Sequence, residues 1–415
     1  MINRLFKSTF LFSLIAILSC GNIEADKNKT EASSEKKQDS VNSEETIEEI
    51  VVGANRTELY MPMLHGKKVG LVGNQSSLVL NKDKKSVHLV DSLLALNVDL
   101  VKVFAPEHGF RGKADAGEKI EDGKDPKTGL PVISLYGSNK KPKPEQLKDI
   151  DVLIFDLQDV GARFYTYISS LHYVMEACAE NDIQLLVFDR PNPNGHYVDG
   201  PILEKEYKSF VGMHPIPTVH GLTMGEYAKM INGENWLKDG ISCNLEVIKM
   251  SAYDHQKKYS LPVKPSPNLP NDKSINLYPS LCFFEGTNVN AGRGTNKQFQ
   301  VFGSPFLNNE AFSYSYTPKS MEGAKNPKHL DKKCFGEDLS NNKYLDQLNL
   351  EWLIKAYNNT ENKAEFFNSF FTKLAGTKKL QLQIENGLSA EEIRATWQDG
   401  LAEFETKREK YLLYE

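Results

Sequence analysis

The chain has 415 residues, about twice the length of a typical domain, which predicts two domains. Forty per cent of the residues are hydrophobic, enough for sizeable cores. The net charge of −5, with scattered lysines, argues against a large nucleic-acid footprint, because such a footprint needs a clustered basic face.

The N-terminal segment, residues 1–19, has the pattern of an export signal. It begins with basic residues, continues as a short apolar stretch and ends in Ser19 before Cys20. A small residue followed by cysteine is typical of bacterial lipoproteins, in which the cysteine is acylated. An ordinary signal peptide with an incidental Cys20 is the alternative. We expect an exported, membrane-anchored lipoprotein on the periplasmic or cell-surface side, with no spanning helix.

Residues 20–50 consist mainly of Ser, Glu, Lys, Asp and Asn. Because almost nothing in this segment can be buried, we predict a disordered tether.

Residues 51–262 alternate between strand-like and helix-like patterns. The strand-like runs are KKVGLVG, VDLVKVFA, DVLIFD and IQLLVFD, and helical spacing occurs in SVHLVDSLLALNV and YTYISSLHYVMEACAEN. Near-continuous Val, Leu, Ile and Phe indicates strands that are covered on both faces. The alternation therefore predicts an α/β domain with a Rossmann-like, doubly wound parallel sheet.

Residues 263–415 have a different composition. Their first part is rich in Pro, Gly and Asn, which is typical of loops. The pattern predicts a strand over Leu380 to Ile384, and a capping box at Ser389 predicts a helix that runs through Trp397 and Phe404. We expect a smaller α+β auxiliary domain that completes a crevice.

Polar side chains follow each of the four predicted strands. They are Asn74 and Gln75; Glu107 and His108; Asp156 and Asp159; and Asp189 and Arg190. Functional residues of doubly wound sheets gather at the carboxyl ends of the strands. Four polar ends therefore predict an active-site edge.

The motifs of several common functions are missing. No G-x-G-x-x-G follows the first strand, and neither G-x-x-x-x-G-K-[ST] nor G-x-S-x-G occurs. His108, His214 and His220 do not have the spacing of a metal site, and the cysteines after Cys20 are far apart. We expect no cofactor, no metal and no obligatory disulfide framework.

Carboxylates are the main chemical resource of the predicted edge. Glycoside hydrolysis usually needs two of them, one as acid and one for water or the sugar carbon. Glu107 is the preferred acid, because apolar neighbours could raise its pKa; an ion pair with Arg111 is the alternative. The other candidates are Asp156, Asp159, Asp189, Glu204 and Glu285.

Structural roles compete with function at several of these positions. Asp159 could pair with Arg163, and Arg190 could either hold a substrate carboxylate or form a buried ion pair. Glu176, in the middle of a helix, is predicted to face solvent. A later segment concentrates groups suited to a sugar-binding loop or to a plain turn-rich linker: Asn268, Glu285, Asn288, Asn290, Arg293 and Thr295.

A series of motifs occurs in order between residues 104 and 295. It comprises FAPEHGFRG, DAGEKI, PVISLYG, DVLIFDLQDVGARFYTYISSLHYVMEACAE, FDRPNPNG, GPIL, PIPTVHGLTMGEYA, PSPNLP and FEGTNVNAGRGT. Together with IENGLSAEEIRATWQDGLAEF and KREKYLLYE in the tail, this series resembles the exo-β-N-acetylmuramidases, exo-lytic peptidoglycan hexosaminidases first described as a domain of unknown function. The resemblance covers nearly everything after about residue 55.

The resemblance implies a Rossmann-like domain with an auxiliary domain and a site in the cleft between them. It implies release of single N-acetylmuramic acid residues from the non-reducing ends of peptidoglycan fragments, with Glu107 as leading catalytic candidate. The partner carboxylate is open among Asp159, Glu204 and Glu285, in that order. Arg163, Arg190 and Arg293 are candidates for binding the lactyl carboxylate of the substrate.

The predicted site contains thirteen residues in two groups. The catalytic group is Glu107, His108, Asp159 and Glu204, with His108 tuning or positioning Glu107. The substrate-binding group is Asn74, Arg163, Tyr165, Asp189, Arg190, Asn192, Glu285, Asn288 and Arg293. Muropeptides are the expected partners, the membrane is contacted through the lipid anchor only, and no protein partner or nucleic acid is required.

Two rival functions remain open at this point. A non-catalytic muropeptide-binding lipoprotein would keep the cleft and the arginines without turnover. An amidase or sugar esterase would use the same carboxylate-rich edge, although the chain lacks a nucleophile elbow and a clear metal cluster.

Overall fold

The computed structural model of the chain describes residues 48–81, 83–107, 109–110 and 122–415. The predicted leader, the lipidation residue Cys20, most of the tether and the site residue His108 lie outside the described residues.

Twelve strands and eleven α-helices occur in the described part of the chain. The strands are β1 (Lys68–Gly73), β2 (Leu78–Leu80), β3 (Ser86–His88), β4 (Asp99–Ala105), β5 (Gly123–Lys124), β6 (Pro131–Ser134), β7 (Val152–Asp156), β8 (Gln184–Phe188), β9 (Leu245–Ile248), β10 (Val301–Ser304), β11 (Tyr314–Tyr316) and β12 (Cys334–Asp338). The helices are α1 (Thr57–Leu64), α2 (Leu89–Ala95), α3 (Pro144–Leu147), α4 (Tyr167–Glu180), α5 (Met224–Gly233), α6 (Asp272–Leu281), α7 (Glu351–Asn358), α8 (Phe371–Ala375), α9 (Lys379–Glu385), α10 (Ala390–Ala395) and α11 (Gln398–Arg408).

The central sheet has seven strands in the order β5-β6-β4-β1-β7-β8-β9. Every neighbouring pair is parallel except β5 and β6, which pair in antiparallel fashion. The four strands predicted from the sequence are β4, β1, β7 and β8, which lie side by side in the middle. The predicted α/β, doubly wound parallel sheet is confirmed.

Strand β7 shows why these strands read as continuous apolar runs. All five of its residues are buried. Leu153 and Phe155 pack into one core cluster with α4 and α5, whereas Val152 and Ile154 pack into a second cluster with α1 and α2. Because successive side chains of a strand point to opposite faces, a sheet covered on both faces needs an apolar residue at every position.

A second, smaller sheet follows, with the antiparallel order β10-β12-β11, and helices α7 to α11 complete this part. Residues Glu48–Glu415 form one compact unit, and the larger core cluster runs from the central sheet into the C-terminal helices.

The strand predicted over Leu380 to Ile384 is wrong, because these residues lie in helix α9. Their apolar positions alternate and so fit a strand, but the burial follows a helix. Leu380 and Ile384 are each 1% exposed, whereas Leu382 between them is 45% exposed. Residues four apart lie on the same face of a helix, so the burial of both Leu380 and Ile384 fits a helix and not a strand.

The capping box at Ser389 is confirmed. The Ser389 side chain accepts a hydrogen bond from the Glu392 amide, and the Glu392 carboxylate accepts one from the Ser389 amide. The predicted single helix is divided, however, into α10 and α11 at Thr396 and Trp397. The break lets both Trp397 and Phe404 reach the core, where each is buried.

Two further features concern the described residues alone. None of their helices is both long enough and apolar enough to cross a bilayer. Their four cysteines, which are Cys178, Cys243, Cys282 and Cys334, are buried free thiols.

Candidate active site

The strand end at Glu107 is shaped by a tight turn. The Gly109 amide donates a hydrogen bond to the Pro106 carbonyl at 3.0 Å. Gly109 has a φ of 75°, which residues other than glycine rarely adopt. Strand β4 therefore stops abruptly, and Glu107 is left at the carboxyl edge of the sheet.

Two hydroxyl groups hold the Glu107 carboxylate. Tyr136, just after β6, donates to Oε1 at 3.1 Å, and Thr166, at the start of α4, donates to Oε2 at 2.9 Å. Tyr167 donates to the Glu107 carbonyl at 3.4 Å. Burial and the neighbouring carboxylate raise the pKa of Tyr136 to about 12, so that its hydroxyl remains a donor. Glu107 is thus half-buried and fixed in orientation.

A cavity of about 220 Å³ adjoins this carboxylate, and we call it the Glu107 cavity. Its lining combines aromatic rings with a few polar groups, as expected of a site for a sugar ring. The lining residues are Glu107, Phe164, Tyr165, Thr166, Tyr167, Val211, Ser266, Asn268, Leu269, Tyr278, Cys282, Glu285, Arg293, Phe299, Phe370 and Leu374.

An ion pair lies in the same cavity. Arg293 Nε is 3.1 Å from Glu285 Oε1, and the guanidinium lies over the Phe299 ring at 5.1 Å from its centroid. Burial alone would raise the pKa of Glu285, but Arg293 and Lys328 lower it below its usual range. Glu285 therefore stays ionised while it remains beside these cations.

Asn268 adds an unsatisfied acceptor to the lining. Its Nδ2 donates to the Gly323 carbonyl at 2.7 Å, and its buried Oδ1 has no hydrogen-bond partner among the described residues. A buried acceptor without a partner is rare in proteins.

Four predicted site residues meet in the Glu107 cavity: Glu107, Tyr165, Glu285 and Arg293. The Tyr165 hydroxyl donates to the Pro265 carbonyl at 2.7 Å, next to Ser266 in the cavity lining. The structure places the other predicted residues elsewhere, except His108, which lies outside the described residues.

Arg163 does not reach the cavity. It is fully buried and donates to four carbonyls, those of Pro201, Ile216, Leu374 and Ala375, at 2.6 to 3.0 Å. Arg163 therefore does not form the ion pair with Asp159 that was the structural alternative for these residues. Arg163 instead fastens the C-terminal helices to the loops beyond β7 and β8.

Arg190 forms the buried ion pair that was the structural alternative for this residue. Its Nε and Nη2 donate to the two carboxylate oxygens of Asp156 at 2.7 and 2.9 Å, and both residues are buried. With both carboxylate oxygens engaged, the pair orders the strand ends and does not face the cavity.

Asp159 is also buried within the framework. Its Oδ2 accepts from the Gly161 amide at 2.6 Å and lies 3.7 Å from His220 Nε2, while Oδ1 has no partner among the described residues. Asp159 does not line the Glu107 cavity.

Asp189 and Asn192 organise loops. The Asp189 carboxylate accepts from Thr223, Gly225 and Tyr414, and burial raises its pKa to about 6. The Asn192 side chain bonds the Leu222 carbonyl and the Asn194 amide.

Asn74 acts on the site indirectly, through Tyr167. Its side chain accepts from the Ser76 amide and hydroxyl, and its Nδ2 donates to the Tyr167 hydroxyl at 2.7 Å. With both ends of its amide occupied, Asn74 positions Tyr167 and has no direct place in the cavity.

Glu204 and Asn288 lie apart from Glu107. Glu204 is 2.8 Å from Lys379 Nζ and lines a different cavity of about 200 Å³ beside α9 and α11. Asn288 belongs to the loop after Glu285, but its side chain is not part of the Glu107 cavity. Glu176, predicted to face solvent, is buried against Lys141 at 2.7 Å, so that prediction is wrong.

Sequence reasoning missed the hydroxyl donors Tyr136 and Thr166. Tyr136 follows β6, a short strand that has the carboxyl edge in common with β4, so its place after an apolar run was an available signal. The position of Thr166 depends on the turn that leads into α4, which carries no comparable pattern. Among the described residues no three His, Cys, Asp or Glu side chains cluster as a metal site.

The chain matches two family models over most of its length. The N-terminal model of the exo-beta-N-acetylmuramidase NamZ family matches residues 69–273, and the C-terminal model matches residues 276–414. This chain belongs to the NamZ family. The sequence-based assignment to the exo-β-N-acetylmuramidases, and hence to the glycoside hydrolases, is confirmed.

Individual relatives agree with this NamZ assignment. The peptidoglycan beta-N-acetylmuramidase NamZ of Bacillus subtilis is 40% identical over 375 residues, which are 86% of this chain and 89% of that protein. A crystal structure of a DUF1343 family protein from Bacteroides fragilis has a TM-score of 0.81 and 47% identity, and covers 89% of this chain and 99% of that one. A second Bacteroides fragilis DUF1343 structure has a TM-score of 0.72 and 29% identity, over 88% and 99%.

Proposed function

We propose that this NamZ-family chain is an exo-acting glycoside hydrolase that releases terminal, non-reducing, β-linked N-acetylmuramic acid from peptidoglycan fragments. The observation that carries the proposal is the meeting of Glu107, Glu285 and Arg293 in one small cavity. Two carboxylates supply the chemistry of glycoside hydrolysis, and the guanidinium supplies a site for the lactyl carboxylate.

The size of the cavity supports an exo-acting enzyme. Its volume of about 220 Å³ is below the ~300–1,000 Å³ of clefts that enclose drug-sized ligands. A cavity of this size suits one sugar residue, as required for cleavage of a terminal unit.

We assign the role of general acid to Glu107. Its proton passes to the glycosidic oxygen as the bond from that oxygen to the anomeric carbon breaks, and the rest of the peptidoglycan fragment leaves as an alcohol. Water supplies the new oxygen on the anomeric carbon. The hydroxyls of Tyr136 and Thr166 keep the carboxyl group aimed in one direction, which is what a positioned acid needs.

Glu285 is the preferred second carboxylate. Of the three candidates from the sequence, Glu285 lines the Glu107 cavity, whereas Asp159 and Glu204 do not. Its pKa is lowered by Arg293 and Lys328, so that it stays anionic, as a carboxylate that acts on water or on the sugar carbon must be.

Arg293 is the proposed basis of selectivity. Its Nε is bonded to Glu285, which leaves the other guanidinium nitrogens for the substrate. N-acetylglucosamine lacks the lactyl carboxylate, so this contact would favour the muramic sugar.

We further propose that the chain is an exported lipoprotein anchored through Cys20. The basic start, the short apolar stretch and the cysteine of the leader support this proposal. Incorporation of labelled palmitate into the wild type, but not into Cys20→Ala, would test it; equal labelling would contradict it.

The decisive test of the activity uses chromogenic β-glycosides of N-acetylmuramic acid and N-acetylglucosamine. Wild-type protein should cleave the muramic substrate selectively. Glu107→Gln should lose about 10²- to 10⁴-fold in kcat, the usual contribution of a general acid. Glu310→Gln, an exposed glutamate in the same protein, is the matched control. Muropeptide binding without any turnover would replace the proposal with a binding lipoprotein.

A further inference from the structure

We propose that Lys328 is a positioning residue for the second catalytic carboxylate. It holds the loop of Glu285 in place, and it remains the cation beside Glu285 when Arg293 binds the substrate. This inference rests on the proposed function, in which Glu285 and Arg293 belong to one site. Lys328 lies between β11 and β12 and does not line the Glu107 cavity, so it acts on Glu285 without touching the substrate.

The Lys328 ammonium group is fully used by backbone carbonyls. Its Nζ donates to the carbonyls of Phe284 at 2.9 Å, Thr287 at 2.6 Å and Val289 at 2.9 Å. An ammonium group has three N–H donors, one more than a neutral amine, so three acceptors require the charged form. The first two carbonyls lie on either side of Glu285 in the chain, which places the positive charge next to that residue.

His329 holds the same loop from the next position in the chain. Its Nε2 lies 2.6 Å from the Asn288 carbonyl, so a segment of two residues binds four carbonyls between residues 284 and 289. His329 has a φ of 62°, in the left-handed region that residues with a side chain rarely adopt. Backbone strain of this kind persists where the surrounding structure requires one particular arrangement.

The Lys328 backbone connects the same segment to Arg293. Asn290 Nδ2 donates to the Lys328 carbonyl at 2.9 Å and to the Arg293 carbonyl at 3.2 Å. The Gly292 amide in turn donates to Asn290 Oδ1 at 2.6 Å. Lys328 is therefore linked by hydrogen bonds to the loops of both members of the ion pair in the cavity.

The two cations near Glu285 differ in what else they can contact. The Arg293 side chain is 23% exposed and lines the Glu107 cavity, so it can bind the substrate carboxylate. Lys328 has no N–H donor left for a ligand, because all three are bonded to carbonyls. Once the substrate carboxylate offsets part of the Arg293 charge, Lys328 is the cation that keeps Glu285 ionised.

The two cations determine the ionisation of Glu285, because its other titratable neighbours are neutral. Tyr278 of α6 and Cys282 lie near the Glu285 carboxylate, and burial raises the pKa of both groups. Burial by itself would raise the pKa of Glu285, whereas Arg293 and Lys328 lower it. Loss of either cation therefore moves this pKa upwards.

The test measures the pH dependence of hydrolysis of the chromogenic muramic glycoside by Lys328→Gln and Lys328→Arg. The acidic limb of kcat reports groups in the substrate complex, and that of kcat/KM reports the free enzyme. In Lys328→Gln the limb of kcat should move up by about one pH unit, and further than the limb of kcat/KM, because Arg293 is shared with the substrate only in the complex. Lys328→Arg, which keeps the charge, should move it less.

Lys332→Gln removes the charge of an exposed lysine in the same loop and is the matched control, which should leave both limbs in place. A merely structural role predicts lower stability or activity of Lys328→Gln with unchanged limbs, and that result would overturn the proposal. If Lys328→Gln does not fold, the wild type decides. Its limb of kcat should lie within about half a pH unit of its limb of kcat/KM, and a larger upward displacement would mean that Glu285 keeps no effective cation in the complex.

A direct titration separates this inference from the proposed function. The pKa of Glu285 is measured by NMR on protein with isotope-labelled glutamate, and Glu285→Gln identifies the signal. If the wild type cleaves no muramic glycoside, the proposed function fails. A higher Glu285 pKa in Lys328→Gln than in wild type and Lys332→Gln would still support the action of Lys328 on Glu285, and an unchanged pKa would overturn it.

Discussion

The hydroxyl of Tyr136 lies 3.1 Å from Glu107 Oε1 and donates a hydrogen bond to it. The two residues follow neighbouring parallel strands, β6 and β4, and the Thr166 hydroxyl occupies the other carboxylate oxygen. Glu107 is therefore held from two elements, so that its rotamer does not depend on the substrate. Preorganisation of this kind reduces the cost of reaching the transition state.

Removal of the Tyr136 hydroxyl should slow turnover. In Tyr136→Phe we expect kcat to fall about tenfold, because the carboxyl group loses one positioning hydrogen bond, worth ~0.5–1.5 kcal/mol, and the bond from Thr166 remains. Tyr173→Phe, which changes a ring packed against Phe210, is the matched control. The measurement is steady-state kinetics on the muramic glycoside. An unchanged kcat would mean that the Tyr136 hydroxyl does not orient Glu107.

Removal of the Arg293 charge should shift the pH dependence of the enzyme. The lowered pKa of Glu285 depends first on Arg293, so Arg293→Gln should raise that pKa. A carboxylate that must be ionised loses activity as the pH falls through its pKa. The acidic limb of kcat/KM should therefore move to higher pH, and it should move less in Arg293→Lys, which keeps the charge.

The pH profile is measured for wild type and both Arg293 variants with the same chromogenic substrate. If the acidic limb stays in place in Arg293→Gln, Glu285 is not the ionised group on which activity depends.

Two carboxylate variants distinguish the candidates for the second catalytic group. Glu285→Gln should reduce kcat about 10²-fold or more, because it removes a carboxylate from the cavity itself. Asp159→Asn should mainly reduce stability, because Asp159 is buried against the Gly161 amide and His220. Kinetics and thermal unfolding of both variants are compared; the reverse pattern would make Asp159 the partner of Glu107.

Arg163 should be required for folding stability and not for substrate selectivity. Arg163→Met leaves four carbonyls without their donor, and we expect a loss of about 3–5 kcal/mol in the free energy of unfolding. Arg163→Lys should recover part of this loss, because an ammonium group donates to fewer carbonyls. Urea unfolding measures both, and the ratio of muramic to glucosaminic turnover serves as control. A changed ratio would contradict a purely structural role.

The sequence was informative where a local pattern decides the outcome. The four central strands are buried on both faces, so each must be apolar at every position, and the pattern shows it directly. The turn at Glu107 needs Pro106 and Gly109, whose backbone preferences are local. The strand predicted at Leu380 failed because three alternating apolar residues fit both a strand and two turns of helix.

The partners of charged groups were not predictable in the same way. Arg163, Arg190 and Arg293 each follow or flank an apolar element and looked equivalent as candidates for a carboxylate. Arg163 donates to carbonyls as far apart in the chain as Pro201 and Ala375. Arg190 instead forms an ion pair with Asp156 at the end of the adjacent strand. Such partners are far apart in the chain, so no spacing in the sequence predicts them.

The sequence by itself determined the parallel sheet and the position of Glu107 at a strand end, because hydrophobic periodicity and turn chemistry act over a few residues. The family followed from the resemblance carried by the ordered series of motifs. Only the tertiary structure decided which polar residues share the cavity. Arg163, Arg190 and Asp159 are buried in contacts with other parts of the chain, whereas Glu285 and Arg293 line the same cavity as Glu107. The physical reason is that a buried charged group needs a partner that compensates for its lost hydration. The packing of the whole chain determines which group lies close enough to be that partner.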